Sequence, residues 1–245
     1  MHHKLLKLFA DNRKTPRKFE IRSEKGSNEA EIFIYDAIVS DEAEAEWFGG
    51  VAPQSFVKAL REIKADTIHL RINSPGGSVF AARAIEQALR EHKAKVVAHI
   101  DGLAASAATF IAMAADEVVM APGALFMIHK AWTIAFGNAD DLRGEATLLE
   151  KIDGTLADTY ASRTGKSAAE MLELMAAETW FTAQEAVDAG FATRIADEAP
   201  NARAAWNLSA YDKAPKLPEP EPQPESNAID AAAFLRRLQV AELAV

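Results

Sequence analysis

The sequence lacks several features that would assign it to common protein classes. None of its 245 residues is a cysteine, which excludes a disulfide framework and a thiolate metal site. No apolar run approaches the roughly 20 residues that a transmembrane helix needs. The glycines form neither a G-x-G-x-x-G pattern nor a phosphate-binding G-x-x-x-x-G-K-[ST] pattern. We therefore expect a soluble, cytoplasmic protein that needs no metal and no cofactor.

Charge is distributed unevenly along the chain, whose formal net charge is −9 at pH 7. Residues 1–22 carry seven basic and two acidic side chains, so the rest of the chain is strongly acidic. An acidic body argues against nucleic acid as the main partner. We expect the basic stretch to be a solvated N-terminal arm, with contact to an acidic partner or a phosphate backbone as the alternative.

Strand-like and helix-like stretches alternate over most of the chain, and 49% hydrophobic residues is enough for one sizeable core. The patterns predict strands over residues 29–39, 67–72, 95–100, 117–121, 125–129 and 191–195. They predict helices over 55–64, 104–115, 140–165 and 167–177, and two more that end at Leu89 and Gly190. Successive strand-to-helix crossovers favour an α/β fold with parallel strands and right-handed connections.

The stretch KVVAHIDGLAASAATFIAMAADEVVMA, residues 95–121, contains the first candidate functional residue. It predicts a strand, a turn at Asp101-Gly102 and a buried helix with Ser106 in its first turn. A serine there often caps the helix. Its neighbours, however, are alanines, which leave room beside the hydroxyl, and a helix N-terminus favours nearby negative charge. These are the requirements of an acyl-transfer nucleophile.

Two further features follow predicted strands. Gly76 and Gly77 follow the strand 67–72, and paired glycines can direct backbone N–H groups at a ligand oxygen; a plain tight turn is the alternative. His129 ends the strand 125–129. Ligands of parallel sheets bind beyond the carboxyl ends of the strands. We therefore expect both features to lie at one edge of the sheet with Ser106. Packing or solvent accounts for the other histidines in the body, which are His69, His92 and His99.

The remaining sequence predicts one long helix and a tail. Residues 140–165 have an apolar stripe, which forms either core or a subunit interface, and Gly165 fits a C-cap. Thr182 and Glu185 fit a capping box. Five of the ten prolines lie between residues 215 and 224. This composition indicates an acidic linker that does not pack, followed by a docking helix or frayed tail over residues 229–243.

Four motifs together resemble those of the Clp-type serine peptidases, and more narrowly their phage relatives, the head maturation proteases. They are INSPGG at 72–77, GLAASAA at 102–108, MIH at 127–129 and TAQEAVDAG at 182–190. The resemblance covers about residues 29–197. It implies a Clp peptidase/crotonase-like fold of repeated β-β-α units in a spiral, mostly parallel, with a long interface helix. The expected domains are an arm (1–22), a peptidase domain (23–198), a Pro-rich linker (199–226) and a short helix or tail (227–245).

The resemblance also implies a catalytic site. Ser106 matches the nucleophile, His129 the general base and Glu178 the acid, although aspartate is usual in the family at this last position. The backbone N–H groups of Gly77 and Ala107 would form the oxyanion hole, with Gly76 allowing the turn. Ala107 stands where methionine is common, which matters little if only its N–H is used.

Other carboxylates can compete with the glutamate for the acid role. These are Asp158, Asp140 and Asp141.

The function implied is that of a homo-oligomeric ring or double ring that cleaves polypeptides. Its substrates would be scaffold, portal or capsid proteins, in the host cytoplasm or the assembling prohead. Four alternatives remain open: a peptidase fed by an unfoldase, a crotonase-like hydratase or isomerase acting on an acyl thioester, a Ser–Lys peptidase with Lys130 or Lys151 as base, and a catalytically idle ring.

Overall fold

The computed structural model describes residues 4–13, 15, 18–23, 27–197 and 206–215. The helices are α1 (Lys4–Asp11), α2 (Glu42–Phe48), α3 (Pro53–Glu62), α4 (Val79–Glu91), α5 (Ala107–Met113), α6 (Ala139–Thr164), α7 (Ala168–Ala176) and α8 (Ala183–Asp188). The strands are β1 (Lys18–Ser23), β2 (Glu29–Tyr35), β3 (Thr67–Ser74), β4 (Lys95–Ala105), β5 (Glu117–Met120), β6 (Leu125–Ile128), β7 (Thr179–Thr182) and β8 (Arg194–Ile195).

These strands form one mixed sheet that is mostly parallel, as the sequence predicted. Its order is β1-β2-β3-β4-β5-β8, with β6 paired to both β4 and β7. Only the pairs β1–β2 and β6–β7 are antiparallel among the described strands. Strand β4 pairs with β5 along its first half and with β6 along its second half. It therefore joins the two parts of the sheet.

The predicted turn at Asp101-Gly102 is wrong, because both residues lie inside β4. Asp101 is buried, and its carboxylate accepts two hydrogen bonds from the Arg71 guanidinium at 2.9 and 2.7 Å and one from the Tyr35 hydroxyl at 2.5 Å. These charge-assisted bonds hold a turn-favouring residue in an extended strand. As a result β4 extends to Ala105, and the next helix begins later than predicted.

The N-terminal residues are not a solvated arm over the part that the structure describes. Residues 4–11 form α1, whose Leu8 and Phe9 are buried, and residues 18–23 form β1 at the edge of the sheet. Sequence reasoning weighted the basic residues of this stretch and not its apolar ones. The apolar side chains find partners elsewhere in the fold, and their burial overrides the charge pattern.

Part of the predicted linker also packs onto the domain. Residues 206–215 bury Trp206, Leu208, Ala210 and Tyr211. These ten residues are therefore not an unpacked linker beyond the boundary predicted at residue 198. Their apolar side chains pack against the sheet and α1. Most of the Pro-rich stretch and the predicted helix over 229–243 lie outside the described residues.

Helix α6 and the capping box agree with the sequence prediction. Gly165 caps α6 in the left-handed region with φ of 73°, and the Thr182 side chain accepts from the Glu185 N–H. The C-terminal half of α6 is packed in the core, whereas Leu142 and Leu148 in its N-terminal half are each 45% exposed. The apolar stripe thus serves the core at one end and faces outward at the other.

Candidate active site

The three features predicted to meet do lie together at the carboxyl ends of β3, β4 and β6. The Gly76–Gly77 turn follows β3, Ser106 follows β4, and His129 follows β6. Pairing of β4 with both β3 and β6 brings these strand ends side by side. The position agrees with the rule for ligand sites in parallel sheets.

Ser106 lies at the sharp junction between β4 and α5. Its backbone has φ of 53° and ψ of −124°, which is unusual for a residue with a side chain. Such strain costs on the order of 1–3 kcal/mol and persists only where surrounding contacts enforce it. Here the Ser106 N–H donates to the Met127 carbonyl at 2.9 Å, and the Ser106 carbonyl accepts from the Thr109 hydroxyl at 2.5 Å. The side chain makes no cap to the helix, so its hydroxyl is available for chemistry.

His129 contacts that hydroxyl directly. Its Nε2 lies 2.7 Å from the Ser106 Oγ, within reach for proton transfer. The ring is 7% exposed and packs against Trp132, with ring centroids 4.3 Å apart and the two planes tilted by 50°. Burial lowers the pKa of His129 to about 4, and the nearby Lys130 backbone only partly opposes this shift. At neutral pH the imidazole is therefore uncharged, the form that accepts a serine proton.

The glycine turn after β3 approaches Ser106 closely. Gly76 has φ of 90°, and a Cβ on it would lie 2.5 Å from the Ala105 carbonyl oxygen and 2.8 Å from the Ser106 Cβ. Gly77 has φ of 147°, and a Cβ there would lie 1.9 Å from the Ile38 carbonyl oxygen. Only glycine fits both positions. Ala107 begins α5, so its N–H belongs to the first helical turn and has no acceptor within the helix.

Glu178 does not complete a hydrogen-bonded triad. Its carboxylate accepts from the Asp212 N–H at 3.0 Å, the Lys213 N–H at 2.6 Å and the Trp180 indole N–H at 3.3 Å. Within the described residues, the Nδ1 of His129 is buried and has no hydrogen-bond partner. The structure therefore brings the predicted nucleophile and base together, while the predicted acid bonds elsewhere.

The other charged groups that sequence reasoning kept open do not take part. These are Asp140, Asp141, Asp158, Lys130 and Lys151, and all five are exposed. In the described part of the chain, no side chain among them hydrogen-bonds to the serine or the histidine of the site. The acid position thus remains with Glu178 as a prediction from the motif.

Comparison with known proteins shows the family of this chain. The family model for Clp protease matches residues 54–199, more than half of the chain. The chain belongs to the Clp protease family. It is accordingly a serine-type peptidase, as the motifs predicted.

Individual Clp relatives match most of the described fold. ATP-dependent Clp protease proteolytic subunit 1 of Leifsonia xyli subsp. xyli is 30% identical over 175 residues, 68% of this chain and 88% of that protein. ATP-dependent Clp protease proteolytic subunit 2 of Tropheryma whipplei is 32% identical over 135 residues, 54% of this chain and 75% of that protein. A solved structure of a mutant ClpP1 from Listeria monocytogenes has a TM-score of 0.59 and 24% identity, covering 69% of this chain and 91% of that one. This last similarity shows the fold alone.

Sequence reasoning missed two groups beside the Clp site. Asp153 is buried on α6, and its carboxylate accepts from the Ala131 N–H at 2.8 Å, which fixes the loop after His129. Burial raises the pKa of this carboxyl group. The second group is Tyr211, whose ring contacts the histidine. Each group had a signal in the sequence. Asp153 is a charged residue inside the apolar stripe of α6, and Tyr211 belongs to a run of alternating apolar residues in an otherwise polar tail.

The described residues contain no cluster of histidine, aspartate or glutamate that would hold a metal ion. None of the described helices is both long enough and apolar enough to cross a membrane.

Proposed function

We propose that Ser106 and His129 are the nucleophile and general base of a serine endopeptidase, with Glu178 as the acid of the active form. The observation that carries this is the 2.7 Å contact between Ser106 Oγ and His129 Nε2 at the strand ends. As Oγ attacks a peptide carbonyl carbon, its proton passes to Nε2. The imidazolium then protonates the leaving amine, and water, deprotonated by the same nitrogen, hydrolyses the acyl-enzyme.

The oxyanion of the tetrahedral intermediate would accept hydrogen bonds from the N–H groups of Gly77 and Ala107. The close approach of the glycine turn to Ser106 supports this assignment, since both donors belong to rigid backbone beside the nucleophile. Loss of one such donor typically costs about 10²–10³ in kcat. Gly76 contributes by allowing the turn and not by binding substrate.

Labelling with a fluorophosphonate probe tests the nucleophile. The parent should become covalently labelled, and Ser106→Ala should not. Ser162→Ala is the matched control, since Ser162 is an exposed serine on α6 away from the site. Labelling that survives in Ser106→Ala, or none under any condition, would contradict the proposal.

The finer role that we propose is cleavage of scaffold, portal or capsid proteins during phage head assembly, by a homo-oligomeric ring. The exposed apolar residues of α6, Leu142 and Leu148, support a contact between rings. Co-expression with such assembly proteins should give shortened products that are absent with Ser106→Ala. Light scattering should show an oligomer that Leu142→Glu weakens. A monomer at working concentration would contradict this part.

A second candidate role is that of a proteolytic subunit served by an ATP-dependent unfoldase. The similarity to proteolytic subunits of ATP-dependent Clp proteases favours this role. Degradation of a folded protein only when such an unfoldase and ATP are added would support this role over head assembly.

A further inference from the structure

A segment of the chain itself covers the candidate active site. Tyr211 is 5% exposed, and its hydroxyl donates to the Pro75 carbonyl oxygen at 2.5 Å, immediately before the glycine turn. Its ring centroid lies 5.4 Å from that of His129. The cavity left beside Ser106 measures about 200 Å³, below the roughly 300–1,000 Å³ usual for ligand sites. Tyr211 therefore fills space that a substrate would need.

Apolar packing fixes this segment, residues 206–215, in place. Trp206, Leu208, Ala210 and Tyr211 are buried in one cluster with side chains of α1, β4 and β6, namely Leu8, Leu103, Ala105 and Met127. The Trp206 indole N–H also donates to the Asn73 Oδ1 at 3.1 Å, at the end of β3. The segment thus occupies the same strand ends as the catalytic residues.

Polar contacts with the N-terminal region hold the segment from the other side. The Asn12 side chain bonds both backbone groups of Asn207, donating to its carbonyl at 2.8 Å and accepting from its N–H at 2.7 Å. Lys4 pairs with Asp212, and Lys7 bonds the Ser209 hydroxyl. Helix α1 and Asn12 therefore bind the segment through hydrogen bonds and through the basic side chains of Lys4 and Lys7.

The segment also binds the carboxylate that the site lacks. Strands β6 and β7 are antiparallel, with Ile128 opposite Thr179. Glu178 immediately precedes Thr179, in a turn where its backbone has φ of 48°, so it lies beside the strand end that carries His129. Its carboxylate nevertheless accepts two backbone N–H groups of the segment, while the buried Nδ1 of the histidine has no partner among the described residues.

We propose that residues 206–215 are an autoinhibitory segment, which occupies the active site of its own chain and holds Glu178 away from His129. Release would open the site to a polypeptide and let the carboxylate turn to Nδ1. There it would orient the imidazole and stabilise its charged form. This inference rests on the proposed peptidase function, and the test below separates the two.

The test is the rate of fluorophosphonate labelling of the full chain at fixed protein concentration. Tyr211→Ala should raise this rate about 10-fold or more, as expected if the segment occupies at least about 90% of sites. Lys213→Pro, which removes one N–H bound to Glu178, should raise it as well. Trp47→Ala is the control, because Trp47 is an exposed aromatic residue on α2 outside the site. Circular dichroism establishes that each variant is folded.

A synthetic peptide provides a second test, because the segment can be added back to the same folded Tyr211→Ala protein. The peptide WNLSAYDKAP, residues 206–215, added to the Tyr211→Ala protein should slow labelling again. The same peptide carrying Tyr211→Ala should slow it much less.

The outcomes distinguish the two proposals. If the parent and both segment variants label equally fast, Ser106→Ala abolishes the label and the peptide has no effect, the peptidase function stands and autoinhibition is overturned. If no variant labels at all, the peptidase function itself fails, and autoinhibition with it.

Discussion

The two halves of the site are built in different ways. Ser106 and His129 follow the adjacent parallel strands β4 and β6, and the backbone around them is fixed by the sheet and the glycine turn. Glu178 precedes the short strand β7, and its side chain is held by residues from the end of the described chain. The proposed nucleophile and base are therefore preorganised by the fold, whereas the position of the proposed acid depends on a contact that can be broken.

Activity of such a site can be controlled through its movable carboxylate more easily than through its fixed residues. A contact within the sheet cannot change without unfolding the strands. The Glu178 carboxylate, on a flexible side chain, can exchange the segment for His129 at small cost in free energy, because each partner donates hydrogen bonds to it.

The largest effect is expected at the base. His129→Ala should lower the rate of peptide hydrolysis by about 10⁴-fold or more, because Ser106 then lacks a proton acceptor. His92→Ala is the control, since His92 lies at the end of α4 and bonds the Ile63 carbonyl oxygen. Kinetics with a fluorogenic peptide measure both. A His129→Ala enzyme whose rate stays within tenfold of the parent would contradict the role of His129 as general base.

The next effect should depend on the state of the segment. In the Tyr211→Ala background, Glu178→Gln should lower hydrolysis by roughly 10²–10³-fold, since the imidazolium loses its counter-charge. In the otherwise unchanged chain the same substitution should change hydrolysis by less than about threefold, because the carboxylate is already bound to the segment and not to His129. Rates from both backgrounds give the contrast. Equal losses in the two backgrounds would show that the acid is not diverted.

A smaller effect is expected for the glycine turn. Gly76→Ala should destabilise the fold by about 1–3 kcal/mol, because the new Cβ meets backbone beside the nucleophile at positive φ. Gly144→Ala on α6 is the matched control, since nothing lies within 4 Å of its Cβ position, and it should stabilise by about 0.5–1 kcal/mol. Urea unfolding measures both. Tolerance of Gly76→Ala would remove the argument for a rigid oxyanion site.

The smallest effect concerns pH. Burial lowers the pKa of both His129 and His99 from 6.5 to about 4. Between these values the unfolded chain binds more protons than the native one, so their contribution to stability is present above 6.5 and is lost as the pH falls toward 4. Melting temperatures should show a smaller acid loss in His99→Gln than in the parent. The same acid loss in both would contradict the sign of the shift.

The sequence predicted the rigid half of the site better than the movable half. Strand ends in a parallel sheet converge whatever the details of the loops, so Ser106, His129 and the glycine turn could be placed together from their motifs. The partner of Glu178 could not, since it depends on residues 206–215, whose composition suggested a linker. The predicted turn at Asp101 and the predicted solvated N-terminal arm were wrong for the same reason, because tertiary contacts overrode local composition.

The most direct test of the account is the pKa of His129, measured by nitrogen-15 NMR of the imidazole rings with His129→Gln for assignment. In the unchanged chain the pKa should lie at about 4. It should rise with Tyr211→Ala as Glu178 reaches Nδ1, and fall back in part when Glu178→Gln is added to that variant. A rise that is the same with and without the Glu178 carboxylate would reflect rehydration alone, and would contradict a segment that holds the acid away from the base.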